Sequence, residues 1–125
     1  MPDHQWAMIC EGIKVQSPNK ISLIGVTDTI YVKALPYNPP EIKVVSFIIG
    51  EIGEKFTYNI EIFDPDGEKA DETIEAKLEL IESGHTFENT VTGVIFHKPG
   101  QHLFRVFLND HLVQTIPLNI KLIVH

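Results

Sequence analysis

The chain has one cysteine, no long apolar run and no leader-like start, and each shortage excludes a class of protein. Cys10 is the only cysteine among 125 residues, so an internal disulfide is excluded and a reducing compartment is favoured. No apolar run approaches the roughly 20 residues that a membrane-spanning helix requires. The first residues lack the basic and apolar regions of a signal peptide. The sequence therefore predicts a cytoplasmic protein with no membrane partner.

Basic residues are also scarce. Lys and Arg total 10 against 17 Asp and Glu, which gives a formal net charge of -7, and the basic residues are spread along the chain without a cluster. Because binding to phosphate groups requires a basic face, nucleic acid is not an expected partner. The acidic balance mainly favours solubility.

The short motifs of common active sites are missing. The sequence contains no Gly-rich phosphate loop, no His-Glu-x-x-His and no Gly-x-Ser-x-Gly. Cys10 lies in an apolar stretch beside Glu11 and not beside a cationic residue, which favours an inert core thiol over a nucleophile. No catalytic residue and no cofactor are therefore predicted, and a hydrolase ranks third among the candidate functions.

Alternating apolar residues are abundant, most clearly in the last quarter of the chain. The apolar alternation over 103–108 is interrupted by Asn109 and Asp110 and resumes over 112–124. Period-two spacing on both sides of a short Asn/Asp turn is a strong signal for a β-hairpin. The sequence therefore predicts a closing hairpin against which the other strands pack.

Further strands are predicted from the same spacing. Their ranges are 6–15 with a bulge at Gly12, 21–32 paired with it, 43–49, 56–62, 68–82 and 87–97. The range 68–82 also fits a helix that begins near Asp71 and ends near Gly84, but its strict alternation and its neighbours favour a strand. Prolines make 34–42 an irregular crossover between sheets.

Two acidic positions have alternative interpretations. Asp64-Pro65-Asp66-Gly67 resembles the start of a calcium loop, but the further ligands of such a loop are missing, and a type I turn is favoured. Asp28 falls among the inward positions of its strand. We predict that backbone N–H groups in a bend satisfy its carboxylate, the alternative being a functional role.

Together these patterns predict one all-β domain over residues 1–125, a two-layer antiparallel β-sandwich of immunoglobulin-like character with about eight strands. The predicted core comprises Ile24, Val26, Phe47, Ile60, Ile62, Leu78, Phe104, Val106, Leu108, Ile116 and Leu118.

Four stretches of the chain resemble a family of short bacterial proteins that is classed only as a domain of unknown function. They begin at Trp6, Ser22, Asp64 and Pro99 and read WAMICE, SLIGVTDTI, DPDG and PGQHLFRVFLND. The resemblance runs over nearly the whole chain. It implies a β-sandwich and transfers no catalytic residue.

Two histidines are weak candidates for a metal site. His97 and His102 flank a four-residue turn, so we expect them to face each other across a strand pair. Two imidazoles at that spacing supply half of a zinc site, and no third ligand is evident. Exposed turn histidines remain the favoured interpretation, and no metal is predicted.

Surplus apolar residues indicate a contact surface. Trp6, Met8, Leu103, Phe107 and Ile123 are the interface candidates, since exposed apolar patches mark contacts more often than active sites. The leading hypothesis is a non-catalytic interaction or structural module that binds a protein partner or itself, for example as a homodimer through the first or last strand. The alternative is a β-sandwich that binds a small molecule or carbohydrate through loops at one end.

Overall fold

The computed structural model describes residues 2–17, 20–39, 41–70 and 74–123, which form ten β-strands and no helix. The strands are β1 Asp3–Cys10, β2 Gly12–Ser17, β3 Lys20–Ile24, β4 Thr29–Val32, β5 Ile42–Ile49, β6 Lys55–Phe63, β7 Ile74–Glu79, β8 Gly84–Val91, β9 Gly100–Leu108 and β10 His111–Leu122. The all-β prediction is confirmed, but the strands number ten, whereas about eight were predicted. Within these ranges no helix has the length and apolar character needed to cross a membrane.

The strands form three sheets. A five-stranded sheet has the order β4-β10-β9-β6-β7, a three-stranded sheet has the order β1-β5-β8, and β2 pairs with β3 in a separate hairpin. β10 pairs with β4 in parallel, whereas the other pairs are antiparallel.

The two extra strands arise because the first two predicted strands each break. β1 ends at Cys10 and joins the three-stranded sheet, whereas β2 pairs only with β3. The second break is at Gly25, whose φ is +67° and whose added Cβ would lie 2.7 Å from Cδ of Glu11. Only glycine adopts this conformation readily and leaves room for that side chain. The predicted pairing of the first two strands therefore holds for the β2–β3 hairpin alone.

The closing hairpin is confirmed. Asn109 and Asp110 both have positive φ, 48° and 65°, which is the geometry of a type I′ two-residue turn. His111 pairs with Leu108 directly across this turn. Asn109 also accepts a hydrogen bond from the Thr57 backbone N–H through Oδ1, at 2.9 Å, so its side chain ties the turn to β6.

The last strand, one of the two through which a homodimer was predicted, has a neighbouring strand on both sides only at its C-terminal end. β10 pairs with β9 on one side and, from Asn119 onward, with β4 on the other. The backbone N–H of Asn119 donates to the carbonyl of Asp28, 2.8 Å away. The backbone nitrogen of Pro117, two residues before Asn119, faces the same side as the Asn119 N–H. Pro117 lies before the start of the β4 pairing. Its missing N–H therefore removes no bond from the ladder.

The free side of the first strand is partly occupied by the same chain. Oε1 of Gln114 accepts from the N–H of Ala7 at 2.7 Å, and Nε2 of Gln114 donates to the carbonyl of Ala7 at 2.8 Å. This pair imitates the backbone bonds of a neighbouring strand. These two hydrogen bonds occupy the middle of the free edge of β1 and link the three-stranded sheet to the five-stranded sheet.

The interior is one cluster of inward residues from both larger sheets. Seven predicted core residues are buried in it, namely Ile60, Ile62, Phe104, Val106, Leu108, Ile116 and Leu118. Phe47 and Leu78 are only half-buried. The prediction is wrong for Ile24 and Val26, which are 48% and 56% exposed, because β3 ends in the separate hairpin and the chain bends away at Gly25.

A polar contact crosses this interior. The hydroxyl groups of Ser46 on β5 and Tyr58 on β6 lie 2.6 Å apart, and both residues are fully buried. Burial raises the pKa of Tyr58 to about 12. Because a buried hydroxyl without a partner is costly, this bond stabilises the contact between Ser46 of β5 and Tyr58 of β6.

Several local predictions have clear outcomes. The range 68–82 contains a strand, β7, although residues 71–73 lie outside the described residues. The Asp64 turn is confirmed, since the N–H of Gly67 donates to the Asp64 carbonyl at 2.9 Å. Residues 33–39 have no strand and carry the chain from one larger sheet to the other, as predicted. The strand predicted at 87–97 is β8, which begins at Gly84 and ends at Val91.

The prediction for Asp28 is half right. The chain does bend there, but the Asp28 side chain is exposed and its Oδ1 accepts from the Thr29 hydroxyl at 3.1 Å. It is the backbone carbonyl of Asp28, and not its carboxylate, that bonds to Asn119 in β10.

Candidate functional site

The outward residues of β9 form the centre of the candidate site. β9 is a central strand, between β6 and β10, and its residues alternate between the buried core and the outer face of the sheet. Leu103, Arg105 and Phe107 point outward and are half-buried. No other element is seen to cover them within the described residues.

Neighbouring strands extend this apolar surface. Leu103 pairs with Phe63 of β6 on one side and with Pro117 of β10 on the other. Phe107 pairs with Leu112 of β10, which is 52% exposed. Directly paired residues share a face of a sheet. We call this surface the β9 face, consisting of Phe63, Leu103, Arg105, Phe107, Leu112 and Pro117; by the same pairing, the polar Asn59, Glu61 and Thr115 lie beside Phe107 and Arg105.

Arg105 lies in the middle of the β9 face. Its guanidinium carbon lies 4.3 Å from the centre of the Phe63 ring, a cation–π contact. Glu61 is its direct cross-strand partner, but the Glu61 carboxylate pairs with Nζ of Lys69 at 3.1 Å. Within the described residues Arg105 makes no hydrogen bond and no ion pair.

The structure divides the predicted interface residues between surfaces. Leu103 and Phe107 lie together in the β9 face. Trp6 and Met8 lie on the outer face of the three-stranded sheet, where the Trp6 ring stacks on Phe47 with centroids 6.0 Å apart. Ile123 follows the end of β10 and is half-buried. The five residues therefore do not form one patch.

Arg105 is a residue of the candidate site that was not predicted from the sequence. It is the only arginine in the chain, all other basic residues being lysines. Its place between Leu103 and Phe107 at the same parity was a usable signal, since arginine and aromatic residues are enriched at protein contacts.

The two candidate metal residues do not meet as expected. His102 is 3% exposed, its Nδ1 lies 3.2 Å from the Gly100 carbonyl, and its ring packs against Phe96 at 4.8 Å. Burial lowers the pKa of His102. His97 is exposed and outside the strands, and β9 does not pair with β8, so the expectation of facing histidines is wrong. The described part of the chain contains no cluster of three potential metal ligands.

The single cysteine is enclosed. Cys10 is buried at the end of β1, and burial raises the pKa of its thiol. A raised pKa reduces the thiolate fraction at neutral pH, and the thiolate is the reactive form.

A cleft lies at one end of the molecule, beside the five-stranded sheet that contains the β9 face. It has a volume of about 670 Å³ and lies between the end of β1, strand β4 and the crossover. Its lining includes Glu11, Thr27, Tyr31, Tyr37 and Glu41. The molecule therefore has both an apolar sheet face and a concave site with polar groups near loops.

Comparison with known proteins gives a family but no activity. A family model described as "Family of unknown function (DUF6941)" matches residues 5–121, and no curated protein matches the chain. One similar structure is the alkylpurine DNA glycosylase AlkC of Pseudomonas fluorescens bound to DNA with an abasic site analog. It has 13% identity and a TM-score of 0.47, and the match covers 92% of this chain but only 30% of that one.

A second similar structure is an immunoglobulin-like protein from Pseudomonas aeruginosa. It has 17% identity and a TM-score of 0.43, and the match covers 94% of this chain and 98% of that one. Similarity at these levels says nothing about activity.

Proposed function

Because the chain belongs to a family of unknown function (DUF6941), its role must be sought in its own surfaces, and we propose that it is a non-catalytic interaction or structural module. The observation that carries the proposal is the β9 face, where Arg105 and five apolar side chains lie on one side of the largest sheet, together with the polar Glu61 and Thr115 beside Arg105. Exposed apolar patches of this composition mark protein contacts. The partner is another protein or a second copy of the chain.

The predicted homodimer through the first or last strand is replaced by this proposal. Gln114 occupies part of the β1 edge, and β10 has β9 on one side and, over Asn119–Leu122, β4 on the other. Association through the sheet face requires neither edge. A cytoplasmic location is part of the proposal, since a single cysteine fits a reducing compartment.

We also infer that the three-stranded and five-stranded sheets are the two layers of an immunoglobulin-like β-sandwich. The shared core and the Ser46–Tyr58 hydrogen bond support this arrangement. An experimental structure in which these two sheets do not face each other would contradict it.

Capture of partners from the native host tests the interaction role. The immobilised chain is compared with a Leu103→Ser/Phe107→Ser variant and with Met8→Ser, a matched control on the outer face of the other sheet. We expect the wild type and Met8→Ser to retain the same protein and the double variant to lose it. Circular dichroism confirms that each variant is folded. Equal retention by all three proteins would reject the β9 face as the contact.

Light scattering over a dilution series tests self-association in the same variants. A dimer that dissociates only in the double variant would identify a second copy as the partner. A single-chain mass at every concentration leaves another protein as the partner.

A second candidate function is binding of a small molecule or carbohydrate in the end cleft. Its volume of about 670 Å³ lies within the range of ligand sites, roughly 300–1,000 Å³. Saturable stabilisation by a member of a sugar and metabolite panel, lost in Tyr37→Ala, is the expected result. No stabilisation by any panel member would count against it.

A further inference from the structure

We propose that Arg105 receives a carboxylate from an extended segment of another protein, in which an acidic residue stands between two apolar residues at alternate positions. The inference rests on the proposed function, because it specifies the chemistry of the partner at the same β9 face.

The guanidinium of Arg105 is oriented by a ring contact, and within the described residues it has no hydrogen-bond acceptor. Contact with the Phe63 ring at 4.3 Å orients it, so less side-chain entropy is lost when a ligand binds. The guanidinium has five N–H donors in a fork that matches a carboxylate, and none of them has an acceptor within the described residues. A lysine in this place would offer neither the planar fork nor the stacking.

Among the described residues no acceptor bonds to Arg105, although an acid lies opposite. Glu61 pairs with Arg105 in the ladder, yet its Oε1 is bound to Lys69 at 3.1 Å. The Glu61 carboxylate is therefore engaged by Lys69, and within the described residues no acceptor bonds to the guanidinium, although the protein has a net charge of -7. Charge complementarity therefore points to an acidic group on the partner.

The spacing of the β9 face indicates an extended partner segment. Leu103, Arg105 and Phe107 are alternate residues of one strand, so neighbouring outward side chains are roughly 6.6–6.8 Å apart along it. An extended segment with the order apolar–x–acid–x–apolar repeats this spacing. Its apolar residues would contact Leu103 and Phe107 and exclude water from the ion pair. An exposed ion pair lacks this exclusion of water.

A second copy fits this centre poorly. In a two-fold dimer the same patch meets itself, so the two Arg105 side chains would approach each other near the axis. Like charges brought together in this way oppose association. The partner is therefore a different protein.

Nuclear magnetic resonance of the full chain tests the proposal directly. Arg105 is the only arginine, so it gives a single Nε–Hε signal that needs no assignment by mutation. The probe is the peptide acetyl-Leu-Thr-Glu-Thr-Phe-amide, and its control has Gln in place of Glu. We expect the Glu peptide to shift the Arg105 signal and the β9 amides saturably, and the Gln peptide to bind at least about fivefold more weakly.

Three variants identify the cause. Arg105→Gln, followed through the β9 backbone amides, should abolish the preference for Glu over Gln. Lys121→Gln, which removes an exposed cation from β10, should keep it, and Phe107→Ser should weaken both peptides. Equal binding of the two peptides, or no response of the Arg105 signal to either, overturns the proposal.

The outcome is separable from that of the proposed function. If the captured partner is lost with Leu103→Ser/Phe107→Ser but retained in full by Arg105→Gln, the interaction role stands and the carboxylate role is rejected. If the partner is insensitive to all of these variants, the β9 face itself is rejected. A dimer that needs Arg105 would replace the second protein with a second copy.

Discussion

The two faces of β9 have similar composition and opposite environments. Phe104, Val106 and Leu108 point inward and are fully buried, whereas Leu103, Arg105 and Phe107 point outward and are half-buried. The inner face is covered by the remainder of the fold, whereas the outer face is covered only by neighbouring side chains of the same sheet. An apolar side chain in a central strand therefore does not by itself indicate a core position, because its burial depends on whether another layer covers that face. Substitutions on the inner face should therefore affect stability, and substitutions on the outer face should affect binding.

The largest expected effect is on the inner face. Phe104→Ala should lower the free energy of unfolding by ~3–5 kcal/mol, because a buried ring is lost and a cavity remains. Urea denaturation measures the change, with Phe107→Ala as the matched control on the same strand. Equal losses for the two variants would abolish the distinction between the faces.

The polar contact between the sheets is expected to have the next largest effect. Tyr58→Phe removes the hydroxyl that lies 2.6 Å from Oγ of Ser46 and leaves Ser46 buried without that partner. We expect a loss of ~1–3 kcal/mol, measured by thermal or urea unfolding. The double variant Tyr58→Phe/Ser46→Ala should recover part of the loss, and a purely additive result would show that the hydroxyl groups are not coupled.

The stability of the fold should also depend on pH through His102, a histidine on the inner face of β9. Burial lowers the pKa of His102 in the folded state from its ordinary 6.5, so the unfolded chain binds this proton first as pH falls. Stability is thus fully retained above about pH 6.5 and decreases between that value and the lowered pKa. Half-buried His4 has a pKa lowered for the same reason and acts in the same direction.

His102→Gln keeps an N–H donor for the Gly100 carbonyl without a titrating ring. Urea unfolding at pH 7.5 and 5.5 should show a smaller pH-dependent loss in this variant than in the wild type. Asp64 and Lys98 lie near His102, and the variant leaves both in place. An unchanged pH dependence would show that His102 titrates as an exposed histidine does.

The smallest expected effect is on the outer face. Phe107→Ser should change the free energy of unfolding by no more than about 1 kcal/mol, because its environment is already partly solvent. The same variant should abolish partner capture, so stability and binding separate at this residue. A loss of stability comparable to that of Phe104→Ala would place Phe107 in the core.

Pattern reasoning predicted the long central elements well and the peripheral ones poorly. β6 and β9 alternate strictly and Asn109 and Asp110 have a specific turn chemistry, so the faces of these strands and the closing hairpin could be predicted, whereas the bulge between Leu112 and Gln114 in β10 was not. The N-terminal strands failed at Gly25, because a single residue with positive φ moves the following segment to another sheet. Sequence spacing contains no signal for that choice of sheet.

The candidate site was predicted only in part, for a related reason. Leu103 and Phe107 were identified because their parity opposes that of the core residues, whereas Trp6 and Met8 were grouped with them although they lie on a different sheet. The pairing of β9 with β6 brings Phe63 beneath Arg105, and this pair joins residues 42 positions apart in sequence (105 − 63). Distant pairing of this kind cannot be inferred from local periodicity.

The strand-forming segments, the closing turn and the alternation that separates the two faces of each strand follow from the sequence, because they depend on local backbone preferences and a two-residue period. The neighbours of each strand, the tolerance of Pro117 in β10 and the contact of Gln114 with the β1 edge follow from tertiary contacts. So do the bond of Glu61 to Lys69 and the stacking of Arg105 on Phe63. These outcomes depend on contacts between residues far apart in the chain, which exist only after the sheets have assembled.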